Sequence, residues 1–548
     1  MKKLPDGIAS FPKIIQNDFI YVDKTRHLYE LLNQGNSFFL SRPRRFGKTL
    51  LLSTLKAILE GRRQLFKGLW IDQPDYTWDV YPVIHLSLAS LTTDSVELFS
   101  TALNTLIEGV ARKAGIEPHG EGIPSSTFMS LINDLNIKHD KEIAVLIDEY
   151  YTPILNAINN PEKAVKIRDA LKLFYAVLKD VEEIRGFTFI TGVGKFPQTS
   201  IFSSLNNLVD LTRDENFAEI CGITVDELDT VFPEFMKNTL EHLKSEKFYP
   251  PEATVSDIRK TILEWYDGYS WDGRTRILNP WSLLKTFYKN RFGDYWTQSG
   301  GIPIFLQNLI QSGIVNFSSF KAEDCITDSL NVVELGKELK PIPILFQAGY
   351  LTVEKINSSS GLNEYYLDIP NLEVKAGIIP LLLSLDPIKS PLIAKRQCES
   401  MLKAINNRDA FGVQNHFGSY LAFFPYNIHN ANESYYHSLF ISAMLFAGAS
   451  PMPEVSVGNG RYDLGYKADD VGYFVFEIKY CSIETNNEGN LSERMECAVY
   501  KAMKQIKVKN YTKHMLGQNY PIYKVALVVG GRSKVLALFE QENDNYFF

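Results

Sequence analysis

The chain has 548 residues and a formal net charge of −7, and its length predicts three or four folding units rather than one core. Its 45% hydrophobic and 22% charged residues are typical of globular proteins, and no apolar stretch reaches the roughly 18 residues that span a bilayer. The five cysteines are scattered without a C-x-x-C pair, and no secretory signal begins the sequence, which favours a cytoplasmic protein without a zinc site. The acidic balance argues against a surface that broadly coats nucleic acid.

A phosphate-binding loop is predicted after the first apolar run. Residues 36–40 form a candidate buried strand, residues 42–49 (RPRRFGKT) the loop, and a helical pattern then continues to Gly61. Backbone N–H groups and the helix N-terminus of such a loop cradle phosphates. The predicted nucleotide-binding residues here are Arg42, Arg44, Arg45, Phe46, Gly47, Lys48 and Thr49.

Within this loop, Lys48 is expected to reach the β- and γ-phosphate oxygens, and Thr49 to ligate Mg²⁺. Arg42 stands where the loop motif has its first glycine. The three arginines either compensate by adding positive charge or lie on the outside of the loop.

A second nucleotide motif lies about one hundred residues further on. Five apolar residues at 143–147 end in Asp148 and Glu149, as in a buried parallel strand with acids at its carboxyl end. Asp148 is expected to bind Mg²⁺ through water, and Glu149 to polarise the attacking water. The alternative is a strand that ends in solvated acids.

Another predicted strand, residues 187–191, supplies a candidate sensor of the γ-phosphate. In NTPases whose sensing strand lies between the loop strand and the acid strand, a polar residue at its tip faces the γ-phosphate. Thr191 is the first candidate and Lys195 the second, and capping of a turn is the alternative for both.

The middle of the chain is predicted to be a connecting region. Residues 215–300 carry helical patterning with an aromatic, glycine-rich stretch at 265–284. Residues 344–353 and 364–374 are predicted to form a helix end with hairpin strands. Residues 379–391 are predicted to lead into a linker. This region either transmits nucleotide state, binds DNA or acts as a spacer.

The last third contains the candidate cutting site. A helical pattern at 432–447 precedes strand candidates at 454–457, 461–466 and 473–479, a long helix at about 491–516 and a strand at 523–529. Asp463 falls on the second strand, and Glu477 and Lys479 point to one face of the third. Two carboxylates hold a divalent cation through hard oxygen ligands, and a lysine beside them suits phosphodiester hydrolysis.

Each residue of this set has an expected role. Asp463 and Glu477 would ligate one or two Mg²⁺ ions with the Ile478 carbonyl, and Lys479 would stabilise the attacking hydroxide or the developing charge. Glu433 either adds a carboxylate or is a solvated helix acid. Gln505 is expected to orient the metal site or grip the phosphate.

The motifs together resemble a known family. The segments YVDKT (21–25), RPRRFGKT (42–49), LIDEY (146–150), FITGVGKF (189–196) and CGIT (221–224) are similar to those of the AAA-ATPase-like family of bacterial proteins, which is typically joined to a C-terminal PD-(D/E)XK nuclease. The α-β-β-β-α-β order of the last third is the common core of these nucleases. Tyr151 departs from the family, which tends to carry an acid after DEY.

The resemblance implies an α/β fold in four parts. We expect a P-loop NTPase domain with a parallel sheet and flanking helices at 1–215 and a helical lid at 216–300. A winged-helix-like connector would follow at 301–385, and a restriction-endonuclease-like α/β domain at 395–548. Some relatives pair the helix glutamine with a tyrosine four residues on, whereas here the next tyrosine after Gln505 is Tyr511.

The function expected from these residues is ATP binding and hydrolysis coupled to Mg²⁺-dependent cleavage of DNA. The alternatives are a nucleotide-dependent regulator whose nuclease-like domain binds without cutting, and a loop that binds ATP without turnover. A homo-oligomer stays open, because no arginine finger is identifiable from one sequence. The lysines of the long helix either form a solvated face or contact the DNA backbone; they are Lys501, Lys504, Lys507, Lys509 and Lys513.

Overall fold

A computed structural model describes residues 2–157, 160–194, 207–300, 325–327, 330, 341–359, 362–377, 391–424, 433–449, 451–457, 460–468, 471–482, 489–515 and 520–542. Its helices are α1 (Phe11–Gln16), α2 (Thr25–Gln34), α3 (Lys48–Leu59), α4 (Val96–Lys113), α5 (Pro124–His139), α6 (Thr152–Asn156), α7 (Pro161–Asp180), α8 (Val225–Val231), α9 (Pro233–Ser245), α10 (Val255–Tyr266), α11 (Pro280–Lys289), α12 (Tyr295–Gly300), α13 (Pro341–Ala348), α14 (Pro391–Asn406), α15 (Ala410–Leu421), α16 (Glu433–Phe446) and α17 (Gly489–Val508). Its strands are β1 (Ser37–Ser41), β2 (Val83–Ser87), β3 (Ala144–Asp148), β4 (Phe187–Gly192), β5 (Val209–Asp210), β6 (Cys325–Thr327), β7 (Thr352–Ser359), β8 (Leu362–Asp368), β9 (Met452–Val457), β10 (Gly460–Ala468), β11 (Gly472–Cys481), β12 (Ile522–Gly530) and β13 (Lys534–Gln541).

The N-terminal sheet is parallel and has the order β2-β3-β4-β1-β5. Strands β1, β3 and β4 are buried along their whole length, as their continuous apolar sequences predict for a sheet covered on both faces. Strand β4 pairs with β1 on one side and β3 on the other. The expected position of the sensing strand between the loop strand and the acid strand is therefore confirmed.

The middle of the chain is helical and then mixed. Capping boxes begin two of its helices, with Thr224 and Glu227 at α8 and Thr254 and Asp257 at α10. Helix α13 runs into the hairpin β7–β8, which β6 extends to three antiparallel strands, so the predicted helix end and hairpin are confirmed. The linker expected at 379–391 lies outside the described residues, except for Pro391 at the start of α14.

The C-terminal sheet has the order β13-β12-β11-β10-β9. Strands β9, β10 and β11 are antiparallel neighbours, and β11 pairs with β12 in parallel, which requires the crossover through α17. Helices α15 and α16 cover one face of this sheet with α14 packed on them, and α17 packs on the other face. The predicted α-β-β-β-α-β order is confirmed from α16 to β12, with β13 added at the edge.

The end of the long C-terminal helix differs from the sequence-based expectation. The long helix ends at Val508 rather than near 516, because Asn510 adopts a left-handed φ of 49° that stops the helix. A short 3₁₀ turn, Lys513–Met515, follows it. None of the helices in the described ranges is long and apolar enough to cross a membrane.

Candidate nucleotide-binding and metal-binding sites

The predicted phosphate loop joins β1 to the first turn of α3. Arg45 and Gly47 have φ values of 70° and 90°, so the chain turns tightly before Lys48 begins the helix. The Gly47 conformation favours glycine, because side chains rarely adopt a positive φ. This turn directs the N-terminus of α3 toward the loop, as anion binding at a helix terminus requires.

The carboxyl ends of β1 and β3 bring the loop and the two acids together. The Thr49 hydroxyl donates to Asp148 Oδ2 at 2.7 Å, and the Lys48 ammonium lies 3.5 Å from Glu149 Oε1. Lys48 also donates to the carbonyl oxygens of Arg42 and Pro43 at 3.0 and 3.2 Å. Four predicted residues therefore form one connected polar group.

Asp148 has the environment of a cation ligand. Its side chain is 2% exposed, and its Oδ1 atom has no hydrogen-bond partner among the described residues. Burial raises the pKa of Asp148, and the Thr49 hydrogen bond partly offsets that rise. A buried carboxylate oxygen without a partner beside a threonine hydroxyl fits Mg²⁺, which prefers hard oxygen ligands.

Arg42 does not lie where either sequence-based interpretation put it. It is 0% exposed, and its guanidinium donates to the carbonyl oxygens of Ser41 and Thr212 at 2.9 and 2.8 Å and to that of Phe217 at 3.3 Å. It also lies over the Trp271 ring, 4.1 Å from the centroid. Arg42 therefore fastens the base of the loop to neighbouring backbone, instead of adding charge to the phosphate site or lying outside it.

Phe46 is likewise a packing residue in this structure. Its buried ring makes edge-to-face contacts with Tyr269 and Trp271, at centroid distances of 4.8 and 5.5 Å. Its ring is therefore committed to packing, although Phe46 is also one of the residues that line the apolar cleft beside Gly47, and its contact with a nucleotide stays a prediction.

The other two loop arginines have exposed side chains, and each contacts a tryptophan of α11 or α12. The Arg45 guanidinium lies 4.2 Å from the Trp281 ring centroid, and the Arg44 carbonyl accepts a hydrogen bond from Trp296 Nε1 at 3.0 Å. The sequence-based reasoning did not connect these tryptophans to the loop, although Trp281 lies in the aromatic stretch at 265–284.

Thr191 is at the expected tip of β4, but its hydroxyl is already engaged. It is buried and donates to the Leu40 carbonyl of β1 at 2.8 Å. The hydroxyl thus ties two strands together, and neither a γ-phosphate contact nor a turn cap describes it. Lys195 lies outside the described residues.

A small apolar cleft of about 100 Å³ opens beside Gly47. The N-terminal segment, α3 and the α8–α12 region line it together. Its lining includes Ile20, Val22, Leu50, Ile223 and Leu284. A flat apolar group attached to phosphates in the loop would fit this position.

The second group of predicted residues converges at the middle of the C-terminal sheet. Leu464 of β10 pairs with Phe476 of β11, so Asp463 and Glu477 are the next opposing positions on the two strands. Asp463 Oδ2 accepts a hydrogen bond from the Ile478 backbone N–H at 2.6 Å. The antiparallel register therefore brings the two carboxylates side by side.

Glu477 is 1% exposed and is the centre of this group. Its Oε1 atom accepts from Lys479 at 2.9 Å and from Gln505 Nε2, whereas Oε2 is buried without a partner among the described residues. Burial, and next the charge of Asp463, raise the pKa of Glu477 to about 7. A divalent cation would supply the partner that Oε2 lacks.

Lys479 joins two carboxylates. Its ammonium lies 3.1 Å from Glu433 Oε1 at the first turn of α16, in addition to its contact with Glu477. Burial on its own lowers the pKa of Lys479, but the hydrogen bond and charge of Glu477 outweigh burial and raise it. The side chain is therefore a cation at neutral pH. Glu433, half exposed, is part of this site and not only a solvated helix acid.

Tyr511 is a residue of this site that the sequence-based reasoning set aside. Gln505 Nε2 lies 3.4 Å from the Tyr511 hydroxyl, and Tyr511 is buried beside the carboxylates. The spacing of six residues argued against a pairing on one helix. The left-handed Asn510 ends α17 and turns the chain back, which brings the ring to Gln505.

The protein atoms alone do not form a complete metal cage. Within the described ranges, no three histidine, cysteine, aspartate or glutamate side chains are arranged to hold a metal ion. A Mg²⁺ ion commonly takes only one or two carboxylates and keeps several waters. Asp463 and Glu477 with the unpartnered Oε2 atom therefore fit such an ion.

Comparisons with known proteins identify two domain families in this chain. A family model described as a predicted AAA-ATPase matches residues 5–202, and one for the PD-(D/E)XK nuclease superfamily matches residues 431–537. A protein of Azotobacter chroococcum mcd 1, named "Uncharacterized protein in vnfD 5'region", is 32% identical over 560 residues and covers 99% of each chain.

The solved structures that align with parts of this chain are more distant. Drosophila ORC bound to poly(dA/dT) DNA and Cdc6 aligns at 10% identity and a TM-score of 0.23, over 44% of this chain and 38% of that chain. The Aeropyrum pernix ORC2 protein aligns at 14% identity and a TM-score of 0.25, over 67% of this chain and 92% of that chain. From the family models and the relative that matches along its whole length, the chain belongs to the family of predicted AAA-ATPases that carry a PD-(D/E)XK nuclease superfamily domain.

Proposed function

We propose that this protein is an ATP-dependent nuclease that cleaves DNA phosphodiester bonds with Mg²⁺ at Asp463 and Glu477. The observation that carries the proposal is the buried Glu477 carboxylate, which Lys479 and Gln505 contact directly and whose Oε2 atom has no protein partner among the described residues. Asp463 of β10 lies at the opposing strand position, and Glu433 of α16 joins the group through Lys479. Burying a charged group is costly unless something binds it. A binding-only domain has no need of this arrangement.

Each side chain of the C-terminal site would have a separate role in cleavage. Asp463 and Glu477 would hold Mg²⁺, which supplies Lewis acidity and lowers the pKa of water. Lys479, kept protonated by Glu477, stabilises negative charge that develops on the phosphate and does not act as a general base. Gln505 fixes the orientation of Glu477, and Glu433 holds the Lys479 ammonium from the opposite side.

ATP is proposed to bind at the phosphate loop. The polyphosphate would lie at Lys48 and the N-terminus of α3, and Thr49 and Asp148 would hold its Mg²⁺. The adenine would enter the apolar cleft beside Gly47. Glu149, within 3.5 Å of Lys48, is the candidate to orient the attacking water.

Coupling between the two sites is supported by the α8–α12 region, which contacts both. At one end, Trp271 and Trp281 hold the phosphate loop through Arg42 and Arg45. At the other end, Glu246 binds Lys467, and Glu264 accepts from Arg461 at 2.9 Å, two residues before Asp463. The α8–α12 region therefore connects the phosphate loop to strand β10 through direct contacts, and a conformational change in the loop would reach β10 through it.

The test uses the purified full-length protein with plasmid DNA, Mg²⁺ and ATP. We expect wild type to nick or degrade the plasmid and Lys479→Ala to lose at least about 100-fold of the rate, because one charge-stabilising group is removed. Lys395→Ala, an exposed lysine of α14 on the other face of the sheet, is the matched control and should cut normally.

Two outcomes would count against the proposal. Equal cutting by Lys479→Ala and wild type would exclude the assigned site. Absence of cutting by wild type on duplex DNA, single-stranded DNA and RNA, with or without ATP, would favour the regulator that binds without cutting. Phosphate release that persists in Glu149→Gln would remove Glu149 from the ATPase mechanism.

A further inference from the structure

Helix α17 has two chemically different faces. Its inner face packs Met495, Val499, Ala502 and Ile506 on the C-terminal sheet, and Gln505 reaches Glu477 from the same helix. The outer face is therefore held rigidly with respect to the candidate cutting site.

The outer face is basic, and we call it the α17 lysine face. It consists of the exposed residues Lys501, Lys504 and Lys507 with Lys509 and Lys513 in the following turn. Lys507 forms an ion pair with Glu540 at 2.6 Å. Over the ranges that the structure describes, no ion pair holds the other four lysines, so their charges are available to a ligand.

The charge of this segment contrasts with that of the whole chain. From Cys497 to Phe539 there are eight lysines and arginines and no aspartate or glutamate, although the chain carries a net charge of −7. The exposed lysines of this run favour a positive potential along the α17 lysine face, whereas Lys524 of the same run is buried and paired with Glu542. Such a patch attracts polyanions and is screened by salt.

Two apolar side chains are exposed within the same face. Tyr500 is 70% exposed and Val508 is 67% exposed. Tyr500, Lys504 and Val508 are four residues apart in turn, so they follow one line along the helix. An exposed aromatic ring among lysines offers a contact for sugars or bases beside the phosphates.

We propose that the α17 lysine face binds the phosphodiester backbone of a nucleic acid and leads it toward Glu477. Lys501 and Lys507 are about 9 Å apart along the axis of α17 at 1.5 Å per residue, which is comparable to two to three nucleotides of one strand at 3.4 Å of duplex axis each. The proposal extends the proposed function by naming the surface that holds the substrate. A membrane surface or an acidic protein is a weaker match, because the lysines lie on the helix whose Gln505 contacts Glu477 of the proposed cutting site.

The test measures binding without cleavage. Full-length protein in EDTA and without ATP is titrated with fluorescently labelled duplex DNA, single-stranded DNA and RNA at several salt concentrations. For Lys501→Ala/Lys504→Ala we expect at least one nucleic acid to bind about tenfold more weakly at 0.1 M salt. The magnitude of the negative slope of log K against log salt should decrease by about two, because two phosphate contacts are lost.

Matched variants separate charge from folding. Lys501→Arg/Lys504→Arg retains both charges and should bind as wild type does. Lys395→Ala/Lys403→Ala removes two exposed lysines of α14 on the opposite sheet face and should leave the affinity and the slope unchanged. Equal thermal midpoints for all variants would show that the fold is intact.

The outcomes distinguish this inference from the proposed function. Unchanged affinity and slope in Lys501→Ala/Lys504→Ala would overturn the inference, even if wild type cuts DNA. A loss of binding only to phosphatidylserine vesicles or to polyglutamate, with nucleic acid binding unchanged, would also overturn it. A reduced slope together with no cleavage by wild type would support the surface and remove the cutting activity.

Discussion

At the scale of single residues, the largest difference between motif and structure is Arg42. The loop motif assigns its position to a glycine at the phosphates, and an arginine there suggests extra positive charge. In the structure, three backbone carbonyls and the Trp271 ring receive the guanidinium, and burial lowers its pKa to about 10. The partners come from residues about 170 and 230 positions away, so no local pattern contains them.

Glu373 is a second residue that only the structure identifies. It is fully buried between α11 and α12, where its Oε1 atom accepts from Ser282 Oγ at 2.7 Å and from the Trp296 N–H at 2.8 Å. Burial raises the pKa of Glu373 to about 8, and nearby Asp294 adds to the rise. The same Trp296 donates to the Arg44 carbonyl of the phosphate loop.

A pH-dependent stability follows for Glu373. The folded-state pKa of about 8 lies above the ordinary value of 4.5, so the folded protein keeps this proton between those pH values and loses stability as pH rises through that window. Glu373→Gln has no charge to bury. The free energy of unfolding of this variant should therefore rise relative to that of wild type from pH 5 to pH 8, by up to about 1.4 kcal/mol per pH unit. Its thermal midpoint should rise in parallel.

Thermal unfolding of both proteins at pH 5, 6, 7, 8 and 9 checks this prediction. The difference should be small at pH 5 and level off above pH 8. A difference that is constant with pH would mean that Glu373 is not neutral in the folded protein.

At the scale of elements, the end of α17 decides the shape of the candidate metal site. The helical pattern continued to about residue 516, whereas the helix ends at Val508 and the chain reverses at Asn510. Only this reversal places the Tyr511 hydroxyl near Gln505. A helix stop that depends on one left-handed residue is not a strong signal in a lysine-rich sequence.

Gln505 is predicted to control metal affinity through Glu477. Gln505→Ala removes the donor that fixes the Glu477 carboxylate, so the Mg²⁺ concentration for half-maximal cleavage should rise about 10- to 100-fold while saturating Mg²⁺ restores most of the rate. Tyr511→Phe should have a smaller effect, because its hydroxyl lies 3.4 Å from Gln505.

Magnesium titrations of the cleavage rate test this pair. Cys497→Ala, an exposed change on the same helix, is the control and should leave the titration unchanged. If Gln505→Ala lowers the rate equally at all Mg²⁺ concentrations, Gln505 acts on the substrate and not on the metal ligand.

At the scale of the whole molecule, the α8–α12 region lies between the two candidate sites. Lys24 near the N-terminus binds Glu227 at 2.6 Å, and the Tyr473 hydroxyl of β11 donates to the Glu246 carbonyl at 2.6 Å. The Lys467 side chain, hydrogen-bonded to Glu246, lowers the pKa of that glutamate. Polar contacts therefore join this region to the N-terminal segment at one end and to the C-terminal sheet at the other.

Charge reversal at the Glu246–Lys467 contact tests whether it transmits the ATP signal. Glu246→Lys alone or Lys467→Glu alone places like charges together, and each should reduce the stimulation of cleavage by ATP several-fold. The double variant restores opposite charges and should recover most of the stimulation. The measurement is the ratio of cleavage rates with and without ATP.

Glu241→Lys is the matched control, because it breaks the Glu241–Lys244 pair within α9, where neither residue contacts the C-terminal sheet through a described ion pair. It should leave the ATP ratio unchanged. No recovery in the double variant would indicate that the ion pair only holds the fold.

The sequence by itself determined which chemistry is present and on which elements. Apolar runs that end in a GKT loop or in paired acids predict buried parallel strands with polar carboxyl ends, and the two-residue spacing of Glu477 and Lys479 predicts one face of a strand. These features depend on local periodicity, which the chain carries along its length. The order of elements in the last third was predictable for the same reason.

The long-range side-chain contacts of both sites were visible in the folded structure and not in the sequence. The burial of Arg42, the commitment of the Thr191 hydroxyl to Leu40, the return of Tyr511 to Gln505 and the tryptophan contacts on the phosphate loop all join residues that are distant in sequence or lie across a chain reversal. Such contacts depend on strand register and on the packing of separate elements. Local patterns fix neither of these, because the free energy that selects them comes from burial and hydrogen bonding summed over the folded chain.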